Sequence, residues 1–261
     1  MEYVIETKNL SKRFKTKLAA NNVNMHIEKG SIYGFIGKNG AGKTTVMKLI
    51  LGLLRPTGGE LTINGSDDLN KERVKIGSLI EDPGIYKNCT AFENMKRYAI
   101  LFNTSDEEIR ELLRLVELDK TGKKVAGQFS LGMKQRLGIA ISMLGHPEIL
   151  ILDEPTVGLD PAGTKIILDL IKKLHSEGKT IIMVTHSMDL VFEYATDVIV
   201  LKEGKVAFEG VPTELFAKNS GDLSLEIPIL YEFCQKLKSR GLGTNIPNIR
   251  TIDDLIKELK R

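Results

Sequence analysis

Nine residues, Gly37-Lys38-Asn39-Gly40-Ala41-Gly42-Lys43-Thr44-Thr45, constrain this chain more than any other segment. They fit G-x-x-x-x-G-K-[ST] and follow the apolar run Ile32-Tyr33-Gly34-Phe35-Ile36, while Thr45 to Leu51 reads as the first turns of a helix. Strand, glycine loop and helix form the setting in which backbone N–H groups turn inward around a phosphate. Glycine removes the Cβ that would stand in the way, and the helix N-terminus adds partial positive charge. Lys43 is expected to reach the β- and γ-phosphates, and the Thr44 hydroxyl to be a Mg²⁺ ligand. A nucleoside triphosphate is the implied ligand, held by all nine residues of the loop.

A second segment narrows the chemistry. Ile149-Leu150-Ile151-Leu152-Asp153-Glu154 is an apolar strand that ends in two acids. Asp153, at the carboxyl end, is expected to hold Mg²⁺ directly or through water. Glu154 is then placed to accept a proton from the attacking water, or to orient it.

Short apolar runs recur with helical segments between them: Ser31 to Ile36, Lys75 to Ile80, Ile149 to Asp153, Thr180 to Thr185 and Asp197 to Leu201. Such runs suit parallel strands covered on both faces. Val4 to Lys8 and Val23 to Ile27 alternate instead, as in an antiparallel sheet with one wet face, and Lys205 to Gly210 reads as the second arm of a hairpin. Between about residues 83 and 146 helical spacing takes over, at Ala91 to Phe102, Asp106 to Leu118 and Leu131 to Leu144. Beyond about Lys218 come two more helix-like stretches, Ile229 to Lys238 and Thr251 to Lys260. Their apolar positions Ile229, Leu230, Phe233, Leu237, Leu255, Ile256 and Leu259 follow helical spacing. That face is expected to pack on the chain's own core, with contact to another subunit as the alternative.

Charge and length exclude other classes. A net charge of +3 over 261 residues, without a basic stripe, gives no case for nucleic acid. No apolar run approaches the roughly 20 residues a spanning helix needs, and the N-terminus lacks the apolar core of a signal peptide. Cys89 and Cys234 stand in no metal or redox spacing, which suits a reducing compartment. A soluble, cytoplasmic chain is expected, reaching a membrane only through a partner.

With these motifs in place the chain resembles the nucleotide-binding subunit of an ABC transporter. Phe129-Ser130-Leu131-Gly132-Met133-Lys134-Gln135-Arg136-Leu137 resembles the signature motif of that superfamily. Asp153 to Pro161 resembles a Walker B strand running into the D-loop, and Thr185-His186-Ser187 resembles the switch histidine. The similarity spans roughly residues 2 to 216. It implies an α/β fold with a P-loop NTPase core, an antiparallel β subdomain, an inserted helical subdomain at about 83–146 and a short helical C-terminal tail. The ATP-binding domain is expected over 1–218 and the accessory tail over 219–261. By the same resemblance Ser130 and Gly132 face the γ-phosphate held by a second ATP-binding subunit, and Asp160 links the two sites. His186 senses the γ-phosphate, and Phe14 stacks on adenine. His26, His146 and His175 are read as structural.

Two positions depart from the family pattern. Leu131 and Met133 stand where the signature usually has glycine and glutamine, while Ser130 and Gly132 are retained. Glu81, after Ile76-Gly77-Ser78-Leu79-Ile80, stands where most members have a glutamine that links Mg²⁺ and the attacking water to the transmembrane subunit. An ionised carboxylate accepts only, so Glu81 can meet Mg²⁺ but cannot donate to a phosphate. Glu81 in the setting Leu-Ile-Glu-x-Pro-Gly resembles the bacitracin-resistance and lantibiotic-immunity exporters. The resemblance implies an ATPase, using ATP and Mg²⁺, that dimerises on ATP and drives a separate membrane permease exporting a peptide antimicrobial. It would lie peripherally on the inner face of the cell membrane. The alternative is a soluble ABC-type ATPase without a permease, such as an iron–sulfur assembly ATPase.

Overall fold

The computed structural model describes residues 2–81, 83–218, 223, 225–241 and 249–260. Asp82 of the Glu81 segment and the start of the tail at 219–222 lie outside the described residues, as do Met1, Ser224, 242–248 and Arg261.

The N-terminal alternation continues well beyond its expected limits. β1 (Tyr3–Phe14) and β2 (Lys17–Glu28) pair antiparallel from Tyr3↔Glu28 to Phe14↔Lys17, and β4 (Gly58–Ile63) pairs with the other edge of β1. Val23, Met25 and Ile27 point inward while Asn24 and His26 face out, the period of two that a one-sided sheet requires. The extra length of β1 is reached through register shifts around Asn9, whose φ is +53°.

The second sheet has the order β5-β6-β7-β3-β8-β9, from β3 (Ile32–Ile36), β5 (Ile76–Leu79), β6 (Ile149–Asp153), β7 (Thr180–Val184), β8 (Asp197–Lys202) and β9 (Lys205–Gly210). All neighbours are parallel except the β8–β9 hairpin. Every residue of β3 and β7 is buried, because packed elements cover both faces. α1 (Lys43–Ile50) sends Val46, Met47, Leu49 and Ile50 into the core shared with the antiparallel sheet.

Between β5 and β6 runs the helical insertion: α3 (Ala91–Ala99), α4 (Asp106–Leu115) and α5 (Leu131–Ser142). Thr90 with Glu93 and Ser105 with Glu108 form capping boxes, which fix where the first two begin. α3 stops at Ala99, three residues short of the expected end. The apolar run continues through Ile100 and Leu101, but these are about four-fifths exposed and no packing holds them in helix (78% and 77%). α5 also belongs to the core, since a Cβ on Gly77 of β5 would lie 1.9 Å from the Ser142 carbonyl.

β8 and β9 are followed by α8 (Pro212–Ala217), α9 (Ile229–Ser239) and α10 (Ile252–Leu259). With α7 (Met188–Tyr194) they bury Phe192, Phe216, Tyr231, Cys234, Ile249 and Leu255. The Phe192, Phe216 and Tyr231 rings lie 5.6–5.9 Å apart. The tail therefore packs on its own core, but through a face only partly foreseen. Leu255 is buried and Leu230 and Leu237 are half-buried, whereas Ile229, Phe233, Ile256 and Leu259 remain exposed.

Candidate functional site

Parallel pairing brings the chemistry to one edge. Leu79 lies beside Leu152, Asp153 beside Val184, and Val184 beside Phe35. The segments after β5, β6, β7 and β3 thus leave the sheet together, carrying Glu81, Asp153–Glu154, His186 and the loop Gly37 to Thr45. Carboxyl ends of parallel strands are where open α/β sheets bind ligands.

The loop is shaped from outside as well as by its own glycines. Gly42 has φ +106°, and a Cβ there would lie 2.2 Å from the Ala19 carbonyl, so only glycine fits. Gly42 caps α1 without any side-chain hydrogen bond, which leaves the first N–H groups of the helix for a ligand. Lys43 is buried, and its Nζ donates to the carbonyls of Gly37 (2.5 Å) and Lys38 (3.4 Å). Burial holds its pKa below the usual lysine value, against the opposing pull of Glu154 and Asp153.

The acidic pair is equally uncomfortable. Burial pushes the Asp153 carboxyl above its ordinary pKa, and Glu154 beside it adds to the rise. Glu154 has φ +49° and its N–H donates to Val184 O at 2.9 Å. Its Oε1 lies 2.8 Å from His186 Nδ1, while Oε2 is buried with no hydrogen-bond partner. His186 itself is largely exposed, and Ser187 caps the helix that follows. Glu81 also has positive φ, +61°, and its carboxylate pairs with Lys48 Nζ at 2.7 Å.

These residues fit a phosphate-bound Mg²⁺. An orphaned carboxylate oxygen and a raised carboxyl both stand to gain from a nearby cation, and Thr44 lies in the first turn of α1 next to Lys43, which feels both carboxylates. Among the described residues no group of three or more His, Cys, Asp or Glu converges as a metal cage. Mg²⁺ in phosphoryl-transfer sites takes one or two protein ligands plus phosphate and water oxygens, which is the donor set that Thr44 and Asp153, with Glu81 nearby, can supply.

Other expected site residues lie elsewhere. Ser130 is the N-cap of α5, its Oγ accepting from Met133 N–H at 3.2 Å. Gly132 and Leu131 touch the D-loop: a Cβ on Gly132 would meet Leu159 at 3.4 Å, and one on Gly158 would meet Leu131 at 2.5 Å. Asp160 caps α6 (Pro161–Ser176) through Gly163 N–H at 2.8 Å. Among the described residues no hydrogen bond or ion pair joins Ser130, Gly132 or Asp160 to the phosphate loop. Phe14 lies at the tip of the β1–β2 hairpin, partly exposed, with Lys12 Nζ 5.3 Å from its ring centre. Of the three histidines read as structural, the rings of His175 and His146 bond to Gly30 O (2.9 Å) and Glu108 (3.0 Å), and the backbone N–H of His26 donates to Glu209 Oε1 (2.9 Å).

Sequence reasoning missed two features. Lys48 lies on α1 as an ordinary helix-surface lysine, and nothing in the sequence ties it to Glu81. Leu223 and Leu225, together with Gly37 to Ala41 and Val200 to Glu203, line a cavity of about 280 Å³ beside the phosphate loop. The segment beyond Lys218 therefore reaches the loop's flank.

The sequence profile of the ABC transporter family matches residues 20–157, more than half of the chain. The chain belongs to the ABC transporter family. It is an ATP-binding subunit and an ATPase. It is 43% identical over 206 residues to the lantibiotic transport ATP-binding protein SrtF of Streptococcus pyogenes, covering 79% of this chain and 90% of that protein. It is 42% identical over 224 residues to the bacitracin transport ATP-binding protein BcrA of Enterococcus faecalis, covering 84% and 73%. Among solved structures, it resembles a dimeric post-hydrolysis ATP-binding cassette bound to ADP and Pi at TM-score 0.73 and 30% identity, over 80% of this chain and 98% of that one. A cassette from Clostridium perfringens, part of an ABC transporter complex, matches at TM-score 0.76 and 29% identity, over 92% and 96%.

Proposed function

We propose that this cassette hydrolyses ATP between two subunits to drive a separate permease that exports a peptide antimicrobial. The observation that carries the hydrolytic part is the state of Glu154. Its backbone is held in a left-handed conformation, one oxygen is fixed by His186, and the other is buried without a partner. That second oxygen is a base waiting for a proton. Water attacks the γ-phosphorus, the bond to the β–γ bridging oxygen breaks, and Glu154 takes the water's proton. Lys43 moves from the loop carbonyls to the β/γ-phosphates, and the N–H groups of Gly40 to Thr45 take the remaining oxygens. Thr44 and Asp153, with Glu81 close by, would hold Mg²⁺, which would supply charge neutralisation at the phosphates. His186, tied to Glu154, reports whether the γ-phosphate is present. Phe14 stacks on adenine.

Ser130 and Gly132 belong to the other subunit's site in this reading. They lie at a helix start that is capped within its own chain, and the dimeric cassette among the similar structures is a precedent. No described helix is long and apolar enough to cross a membrane. In this reading the permease is a separate chain, and the cassette lies against it on the cytoplasmic face. Val74 and Tyr86, on either side of Glu81 in sequence, expose apolar surface that a protein partner can cover. The transporter is favoured over a permease-free ATPase by the lantibiotic and bacitracin transport relatives. The same reading takes 1–218 as the ATP-binding domain, about 83–146 as its helical part and 219–261 as the accessory tail. The substrate class rests on Glu81 and on the lantibiotic and bacitracin transport relatives.

The test is resistance. A strain that has lost this chain should become sensitive to its peptide antimicrobial, be rescued by wild type, and not by Glu154→Gln. Rescue by Glu154→Gln overturns the hydrolytic reading, and unaltered sensitivity in the deleted strain overturns the substrate class.

A further inference from the structure

Glu81 occupies the position where an amide is usual in this family, and its structural partner is Lys48. Lys48 stands one helical turn beyond Thr44 on α1, so the two share a face of that helix. Its Nζ lies 2.7 Å from Glu81 Oε1, 33 residues away in sequence. Glu81 follows β5, whose last residue Leu79 pairs with Leu152 of β6, one residue before Asp153. The pair therefore lies between the face of α1 that carries Thr44 and the strand end that carries Asp153.

We propose that Lys48 is the positioning residue for Glu81. It holds the carboxylate at the metal side of the ATP site and supplies the N–H donor that a glutamine would have carried itself. The inference rests on the reading of Glu81 as part of the ATP site. Two features favour positioning over an incidental surface pair. The Glu81 backbone is in a conformation that L-residues seldom adopt, +61° in φ, so its side chain is launched in a fixed direction. Lys48 is less exposed than an ordinary surface lysine, its side chain 30% accessible, and its stem springs from a helix whose neighbouring positions are core. With three donors and no acceptor, its ammonium can keep Glu81 and still donate to a phosphate oxygen or an ordered water. A carboxylate alone cannot do this.

The consequence is a split between metal affinity and turnover. Without Lys48 an uncompensated carboxylate faces the metal-binding position, which attracts a divalent ion more strongly but in the wrong geometry. Purified Lys48→Met is expected to reach half-maximal binding of a non-hydrolysable ATP analogue at a Mn²⁺ concentration several-fold below wild type. Its binding of the analogue without metal should be unchanged. Its turnover should fall on the order of ten-fold, less than the hundred-fold that ångström-scale misplacement can produce. Lys48→Arg should keep most of both properties. In a Glu81→Gln background Lys48→Met should change neither, because the charge it compensates is gone, so the two substitutions are strongly non-additive. Equal effects of Lys48→Met in both backgrounds, or no effect in either while Glu81→Gln alone alters metal dependence, overturn the proposal. If Glu81→Gln itself leaves metal dependence and turnover at wild-type values, the placement of Glu81 in the ATP site fails instead.

Discussion

The phosphate-loop edge and the signature face solve opposite problems. At the loop edge Lys43 is buried with a lowered pKa, Asp153 is half-buried with a raised one, and Glu154 Oε2 has no partner. The charges of Lys43 and Asp153 are worse off there than in water. At the signature face the polar groups are already content, Ser130 with Met133 N–H and Asp160 with Gly163 N–H. What lies unsatisfied is apolar: Leu131 and Val157 are about half exposed, at 52% and 49%. Under the proposed function the first region receives a polyanion with its cation and the second a protein surface, and a chain that carries both is half of a composite site.

The sharpest way to break this contrast is at the loop edge. Lys43→Ala removes the buried cation, and ATP affinity should fall by about a hundred-fold, the scale of a lost charged hydrogen bond of about 3 kcal/mol. Glu154→Gln should instead keep binding, lose turnover by roughly 10²–10⁴, and accumulate an ATP-bound dimer visible by light scattering. Comparable loss of binding in both variants would remove Glu154 from the role of base.

Next comes the signature face. Ser130→Arg should abolish hydrolysis in homodimers while leaving ATP affinity of the monomer within about two-fold, because Ser130 bonds only within its own chain. Mixed dimers of Lys43→Ala with Ser130→Arg subunits should regain up to about half of wild-type activity, since one of two shared sites is intact. Verified mixed dimers without any activity, or full turnover by a monomer, would show that the sites are not shared.

The smallest effect tests the discomfort itself. Asp153 titrates above its unfolded value, so the native state binds more protons across that window and stability falls as pH rises through it. Asp153→Asn should therefore raise the melting temperature of nucleotide-free protein at neutral pH by a few degrees at most. The gain should vanish below about pH 3.8, where aspartate is protonated in both states. A lower melting temperature at neutral pH would mean that the carboxylate is satisfied in a way the geometry does not show.

Much of the loop edge was legible because each motif lies in one continuous stretch at the end of an apolar strand. The runs at 149–153 and 205–210 matched their strands residue for residue. β4 was not foreseen, since two of its six residues are glycines, which carry no strand signal; Gly59 is there because Asn9 O lies 2.3 Å from where its Cβ would be. The tail helices had the right extent but a misjudged face. Tyr231 and Cys234 are buried, while Ile229 and Phe233 are not, because the partners on α7 and α8 decide which side is inside. Lys48 and Glu81 were each visible, but a pair spanning 33 residues leaves no periodic trace.

The contact that forces Gly42 to be glycine has a consequence for how a nucleotide is measured. Ala19 presses on that glycine from β2, Gly204 N–H binds Ala41 O at 2.9 Å, and Asn21 N–H binds Gly204 O at 2.8 Å. The loop, the β8–β9 turn and the β1–β2 hairpin are thereby tied to one another through the backbone. Under the proposed function, in which Phe14 stacks on adenine, these ties and not any side chain set the span between the base and the phosphates.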